Sequence, residues 1–103
     1  MRQFAVYKNP RNGSRRHAPY LLDVQTELVN TQLRVVIPLV KPDYFGEPMR
    51  HLNPMLKVLG KPYVLSPLEI GSLKLSELRK PVSNLDSKRD EILNAIDFML
   101  RGF

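Results

Sequence analysis

The residues best suited to chemistry lie together near the N-terminus. His17 follows Arg15 and Arg16. A base flanked by two cations suits phosphodiester cleavage, in which the imidazole moves a proton and the guanidinium groups stabilise the developing anion. Asp23 or Glu27 is the candidate acid–base partner. The plainer reading of this stretch is a solvated basic loop, and of Asp23 a structural acceptor that takes hydrogen bonds from a neighbouring turn. Asp43, Glu47, His51 and Glu69 complete the set of acid–base candidates. Glu47 and His51 lie four residues apart, but a metal needs more ligands than that pair supplies. No glycine-rich phosphate loop follows a strand and no nucleophile elbow is present. With no cysteine in the chain, disulfides and thiolate metal sites are excluded. The residues do not announce an enzyme, and they imply no cofactor.

Charge points to acidic partners. Sixteen Lys and Arg stand against ten Asp and Glu, a net charge of +6, and a balance of that sign attracts nucleic acid or an acidic protein segment. Arg2, Lys8, Arg11, Arg15 and Arg16 all precede the first acid, Asp23. At 103 residues, 43% hydrophobic and 25% charged, the composition is that of one globular domain spanning 1–103. A core of that size is modest, so association between copies would add buried surface. No apolar run is long enough for a signal peptide or a membrane span, and a soluble cytoplasmic protein is expected.

The elements that would position these residues are mostly strands. "QFAVYKN" alternates with the strand period, "PRNGSRRHAP" reads as a long turn, and "YLLDVQ" resumes the alternation with Leu22 and Val24 on one face and Leu21 and Asp23 on the other. These form a hairpin with an extended basic loop. "TELVNTQ" is a turn carrying two adjacent apolar residues, Leu28 and Val29. "LRVVIPLV" is the strongest strand, and Pro38 within it implies an edge, a bulge or a bend. "KPDYFGEPMRHLNP" is irregular with one helical turn, "MLKVLGKPYVLS" a hairpin around Gly60-Lys61, "GSLKLSEL" a further strand and "KPVSNL" a last short pairing.

A helix begins at "LDSKRDEI", with Asp86 or Ser87 as its cap. Ile92, Ile96, Met99 and Phe103 recur at helical spacing, Leu93 and Leu100 widen that stripe, and Phe98 falls off it. Ile92 and Ile96 are the expected core anchors. The stripe runs on to Gly102-Phe103, so the helix tip is expected to meet something apolar.

Four stretches taken in order carry a resemblance: "QFAVY" at the start, "DVQTELV" at Asp23 to Val29, "VVIPL" at Val35 to Leu39, and "LDSKRDEILNAIDFMLRGF" at Leu85 to Phe103. Together they resemble the CcdB family of bacterial toxins, nearly end to end. The resemblance implies a mainly β fold: an SH3-like barrel of antiparallel strands with a small subsidiary sheet and a C-terminal α-helix. It implies a two-fold homodimer that binds the A subunit of DNA gyrase and traps the enzyme with its DNA cut. It also implies a cognate antitoxin that neutralises the toxin through a disordered C-terminal segment. Catalysis, cofactors, membranes and direct sequence-specific nucleic-acid binding form no part of it. The fold is shared with messenger-RNA-cutting toxins, so an endoribonuclease using Arg15, Arg16 and His17 is the alternative.

Carried over residue by residue, the family's gyrase contacts fall at Leu28 and Val29, and at Asp97, Leu100, Arg101, Gly102 and Phe103. Three of these depart from the commoner family pattern. Arg101 stands where tryptophan is usual, Asp97 where asparagine occurs, and Phe103 in place of isoleucine.

Overall fold

The computed structural model describes residues 2–102; Met1 and Phe103 lie outside them. The hairpin expected at the start is present. β1 (Ala5–Lys8) pairs antiparallel with β2 (Tyr20–Asp23), with Val6 opposite Leu22 and Tyr7 opposite Leu21. Its basic connection is less irregular than expected, because Asn12–Arg15 close one turn of helix, α1. β2 pairs in turn with β3 (Leu33–Val40), the longest strand.

β3 branches the sheet. Its first half pairs with β6 (Gly71–Lys74) and its last two residues with β5 (Lys61–Leu65). The hairpin of β4 (Met55–Val58) and β5 is thus the smaller, subsidiary portion. Pro38 stands where β3 passes from one partner to the other, and its carbonyl accepts from the Ser66 amide at 3.1 Å. A residue with no N–H costs nothing at a position where only a carbonyl is used. β7 (Ser83–Asn84) closes on β1. Among the described residues seven strands run β4-β5-β3-β2-β1-β7, with β6 against β3, in a nearly closed antiparallel barrel.

The β4–β5 turn is shifted by one residue from the sequence expectation. Leu59 and Gly60 are its two central residues, both with positive φ (51° and 84°). A two-residue turn must have this geometry to match strand twist. α2 (Pro42–Phe45) is the helical turn expected in the irregular stretch.

β2 is covered on both faces. Leu22 joins Phe4, Val6, Ile37, Leu39 and Leu65 in the main core, and Leu21 joins Val36 and Leu73 in a second cluster behind it. The C-terminal helix α3 (Arg89–Arg101) lies on the main core through Ile92 and Ala95, both fully buried. Fully burying a side chain the size of Ile92 contributes roughly 1.5–3 kcal/mol. Ala95 has no long side chain and lets the helix approach closely. Ile96 is only partly buried.

Leu93 and Leu100 do not widen the buried stripe, being 37% and 71% exposed. Seven residues apart, they share a flank turned roughly 80–100° from Ile92 at 3.6 residues per turn. Neither Asp86 nor Ser87 caps α3 with its side chain, because the chain enters through a tight turn at Asp86–Lys88. Asn84 Oδ1 accepts the Asp86 amide instead, at 2.7 Å.

Candidate functional site

The residues of the nuclease reading are not brought together. Asp23 ends β2, whereas His17 precedes that strand at its other end. Asp23 is fully buried and takes both of its oxygens to Arg34, at 2.8 Å from Nε and 3.1 Å from Nη2. The Gln25 amide donates to its Oδ1 at 3.0 Å, the turn-acceptor role expected of Asp23. Arg34, 2% exposed, is raised above the ordinary arginine range by its hydrogen bonds to that carboxylate. Burial, and then the charge of Asp23, push the nearby Tyr7 phenol up as well. Arg15 bonds the carbonyls of Asn9 and Pro10, and the His17 ring meets Tyr44 edge-on at 4.3 Å. The Asp23–Arg34 pair had one sequence signal: an arginine in the strongest strand, on the face that register assigns to Asp23.

Glu27 is occupied too. Its Oε2 accepts the backbone amides of Arg2 and Gln3 at 2.8 and 2.6 Å, and these bonds, that of Gln3 foremost, hold the carboxyl below its usual 4.5. A carboxylate lowered by folding supports the folded arrangement above its unfolded pKa, and that support fades as pH falls through the lowered value. The Gln3 amide resonance should therefore titrate in a single step below pH 4.5, and Glu27→Gln should erase the step. A Gln3 amide that ignores pH in that range would place this bond elsewhere.

The residues carried over from the family resemblance fall on two elements. Leu28 and Val29 sit on the β2–β3 turn, 93% and 48% exposed. Asp97, Leu100 and Arg101 lie one turn apart on the exposed side of the end of α3, and Gly102 closes the helix. Gly102 has φ +81°, and its N–H donates to the Phe98 carbonyl at 2.8 Å. That is the left-handed helix stop glycine adopts without strain. Phe103, the last of the set, lies outside the described residues.

Phe98, off the apolar stripe in sequence, has its own place. With Asn94 and Gly102 it forms one wall of a groove of about 750 Å³, and the loop of Pro48, Met49 and His51 forms the other. The His51 and Phe98 rings are 5.9 Å apart. A second cleft, of about 680 Å³, holds Lys8, Arg15 and Arg79 beside Glu77. Among the described residues no three His, Cys, Asp or Glu are grouped to hold a metal, and no helix is long and apolar enough to cross a membrane.

The arrangement is one of display. Arg15, Asp23, Glu27 and Arg34 are spent on internal bonds, while Leu28 and Leu100 stand exposed on a pinned turn and a helix end. The family model for CcdB protein matches residues 3–102, which takes in every strand, α3 and Gly102. With the antiparallel barrel and the terminal helix in agreement, the chain belongs to the CcdB family of toxin–antitoxin toxins.

Proposed function

We propose that the protein is a DNA gyrase poison: a homodimer that binds the A subunit of gyrase, holds the enzyme on cleaved DNA, and is itself neutralised by a cognate antitoxin in the cytoplasm. The observation that carries this reading is the exposure of Leu28 and Leu100, at 93% and 71%. Exposed apolar groups on an ordered frame are what an interface core requires, and both positions match the family's gyrase contacts. The gyrase-binding set is Leu28, Val29, Asp97, Leu100, Arg101, Gly102 and Phe103.

Dimerisation doubles that set, since each symmetry-related copy presents the same residues. The flank of α3 bearing Leu93 suits a contact between copies, with exposed Leu68 on the short turn that packs beside α3, which leaves Leu100 to the target. The antitoxin reading draws on charge. A net +6 attracts an acidic, unfolded tail and speeds encounter, and a tail that folds on binding must cover a large surface to offset its ordering entropy.

Purified gyrase and plasmid DNA, with and without the protein, test the proposal directly. Cleaved DNA should accumulate on addition, and total RNA in a parallel reaction should stay intact. RNA fragmentation with gyrase unaffected would move the function to the endoribonuclease class. Sedimentation at micromolar concentration should give about twice the 11.9 kDa chain mass, and a persistent monomer would remove the doubled surface.

A further inference from the structure

We infer that Gln25 is a positioning residue for target binding, clamping the β2–β3 turn so that Leu28 and Val29 are presented in one preset conformation. This rests on the proposed function only in naming gyrase as the target.

A leucine left 93% exposed on a free loop would fold back or sample many positions. This turn gives it no such freedom, because each polar residue before Leu28 is spent on holding it. The Gln25 side chain, on the β2 side of the turn, is buried and reaches across to two points beyond Leu28. Its Oε1 accepts the Val35 amide of β3 at 2.9 Å, and its Nε2 donates to the Val29 carbonyl at 2.6 Å. Thr26 Oγ1 accepts the Leu28 amide at 3.3 Å, and the Thr26 carbonyl accepts the Val29 amide at 3.2 Å. Glu27 ties the far side of the turn to the amides of Arg2 and Gln3.

Beneath the turn, Asp23 and Arg34 fix the backbone of Gln25 itself. Asp23 Oδ1 accepts its amide, and Arg34 Nη2 donates to its carbonyl at 3.4 Å. A donor and an acceptor are both required at the Gln25 side-chain amide, one for the Val29 carbonyl and one for the Val35 amide, which no charged or aliphatic side chain supplies. Ordering the turn before binding removes that entropic cost from association, so the clamp acts on affinity through Leu28 and touches no target atom.

Gln25→Glu tests this. The introduced carboxylate can accept from Val35 but repels the Val29 carbonyl, so the Val29 end of the turn is released. The methyl groups of Leu28 and Val29 should gain mobility by NMR relaxation, and affinity for purified gyrase A subunit should fall about tenfold. A double-mutant cycle with Leu28→Ala separates positioning from general weakening. If Gln25 works through Leu28, its substitution should cost almost nothing once that leucine is gone; additive losses would overturn the clamp. Unchanged methyl order, or loosened methyls with full affinity, would overturn it equally. Should Gln25→Glu fail to fold, Thr26→Val decides: it removes the Leu28 amide's acceptor at an exposed position, and unchanged methyl order there counts against the clamp. A wild-type protein that does not bind gyrase refutes the proposed function. The clamp then stands or falls on the methyl order alone.

Discussion

Removing Gly102 and Phe103 should abolish gyrase binding and toxicity while leaving a folded dimer. The anchors of α3 are earlier in the helix: Ile92 and Ala95 are fully buried, and the last three described residues are exposed. Gly102 contributes one capping bond, to Phe98, and a frayed last turn is a small loss beside the core. Truncating an aromatic at an interface centre commonly costs ~2 kcal/mol or more. A dimer loses two such anchors from one mutation, so affinity should fall by several orders of magnitude.

Gly102→Val refines the test. A Cβ at Gly102 meets nothing within 4 Å, so the first added carbon has room. The φ of +81° is nevertheless disfavoured for a β-branched residue by roughly 1–2 kcal/mol, enough to redirect the chain beyond it. Poisoning should drop while the melting temperature holds. Arg101→Trp should act in the opposite direction and strengthen poisoning, by restoring the aromatic commoner in the family. Thermal unfolding and sizing of each variant, read beside gyrase binding, distinguish the outcomes. A truncated protein that unfolds or dissociates makes Phe103 a structural plug. One that stays folded and still poisons shifts the site to Leu28 and Val29.

The parts of the fold that sequence made plain are those where a local rule acts alone. Alternation marked β1 and β2, β-branched residues marked β3, and a proline with no ladder bond to donate marked the place where β3 changes partner. What stayed hidden depended on partners distant in sequence. Leu93 and Leu100 have the spacing of a buried stripe, yet the helix turns its Ile92–Ala95 side inward because the small Ala95 permits the closer approach. Phe98 looked misplaced because the loop that faces it, Pro48 to His51, is irregular and gives no periodic signal. The two halves of the candidate site came from the family resemblance, since exposed leucines obey no folding rule. The Gln25 bridge was invisible for a different reason: its donor and its acceptor, the Val35 amide and the Val29 carbonyl, lie ten and four residues away, across a turn whose register is set only by the β2–β3 pairing.

Arg34→Met should be the most destabilising single substitution in the barrel. The guanidinium is 2% exposed and forms a bidentate pair with a fully buried carboxylate. Removing it strands Asp23 inside the protein with no counter-charge and also takes a donor from the Gln25 carbonyl. Breaking one side of such a pair commonly costs about 3–5 kcal/mol, against a total stability of roughly 5–15 kcal/mol for a small domain. The expected result in urea is a midpoint lowered by roughly a fifth or more, with the slope unchanged. The pair is not thereby shown to stabilise the fold, because most of that loss is the penalty of an unpaired buried charge. Asp23→Leu combined with Arg34→Met removes both charges and should recover much of the loss, short of full recovery because the Gln25 amide and carbonyl keep no side-chain partner. The double variant then isolates what the ion pair does beyond stability. If it stays folded well below its urea midpoint but binds gyrase poorly, the pair's main service is to seat Gln25 and the turn above it. If binding is full, the turn is held from Gln25 outward and the ion pair is a passenger. A single Arg34→Met variant that loses less than about 1 kcal/mol would mean that water reaches Asp23, and the buried pair would have to be abandoned as the foundation of the turn.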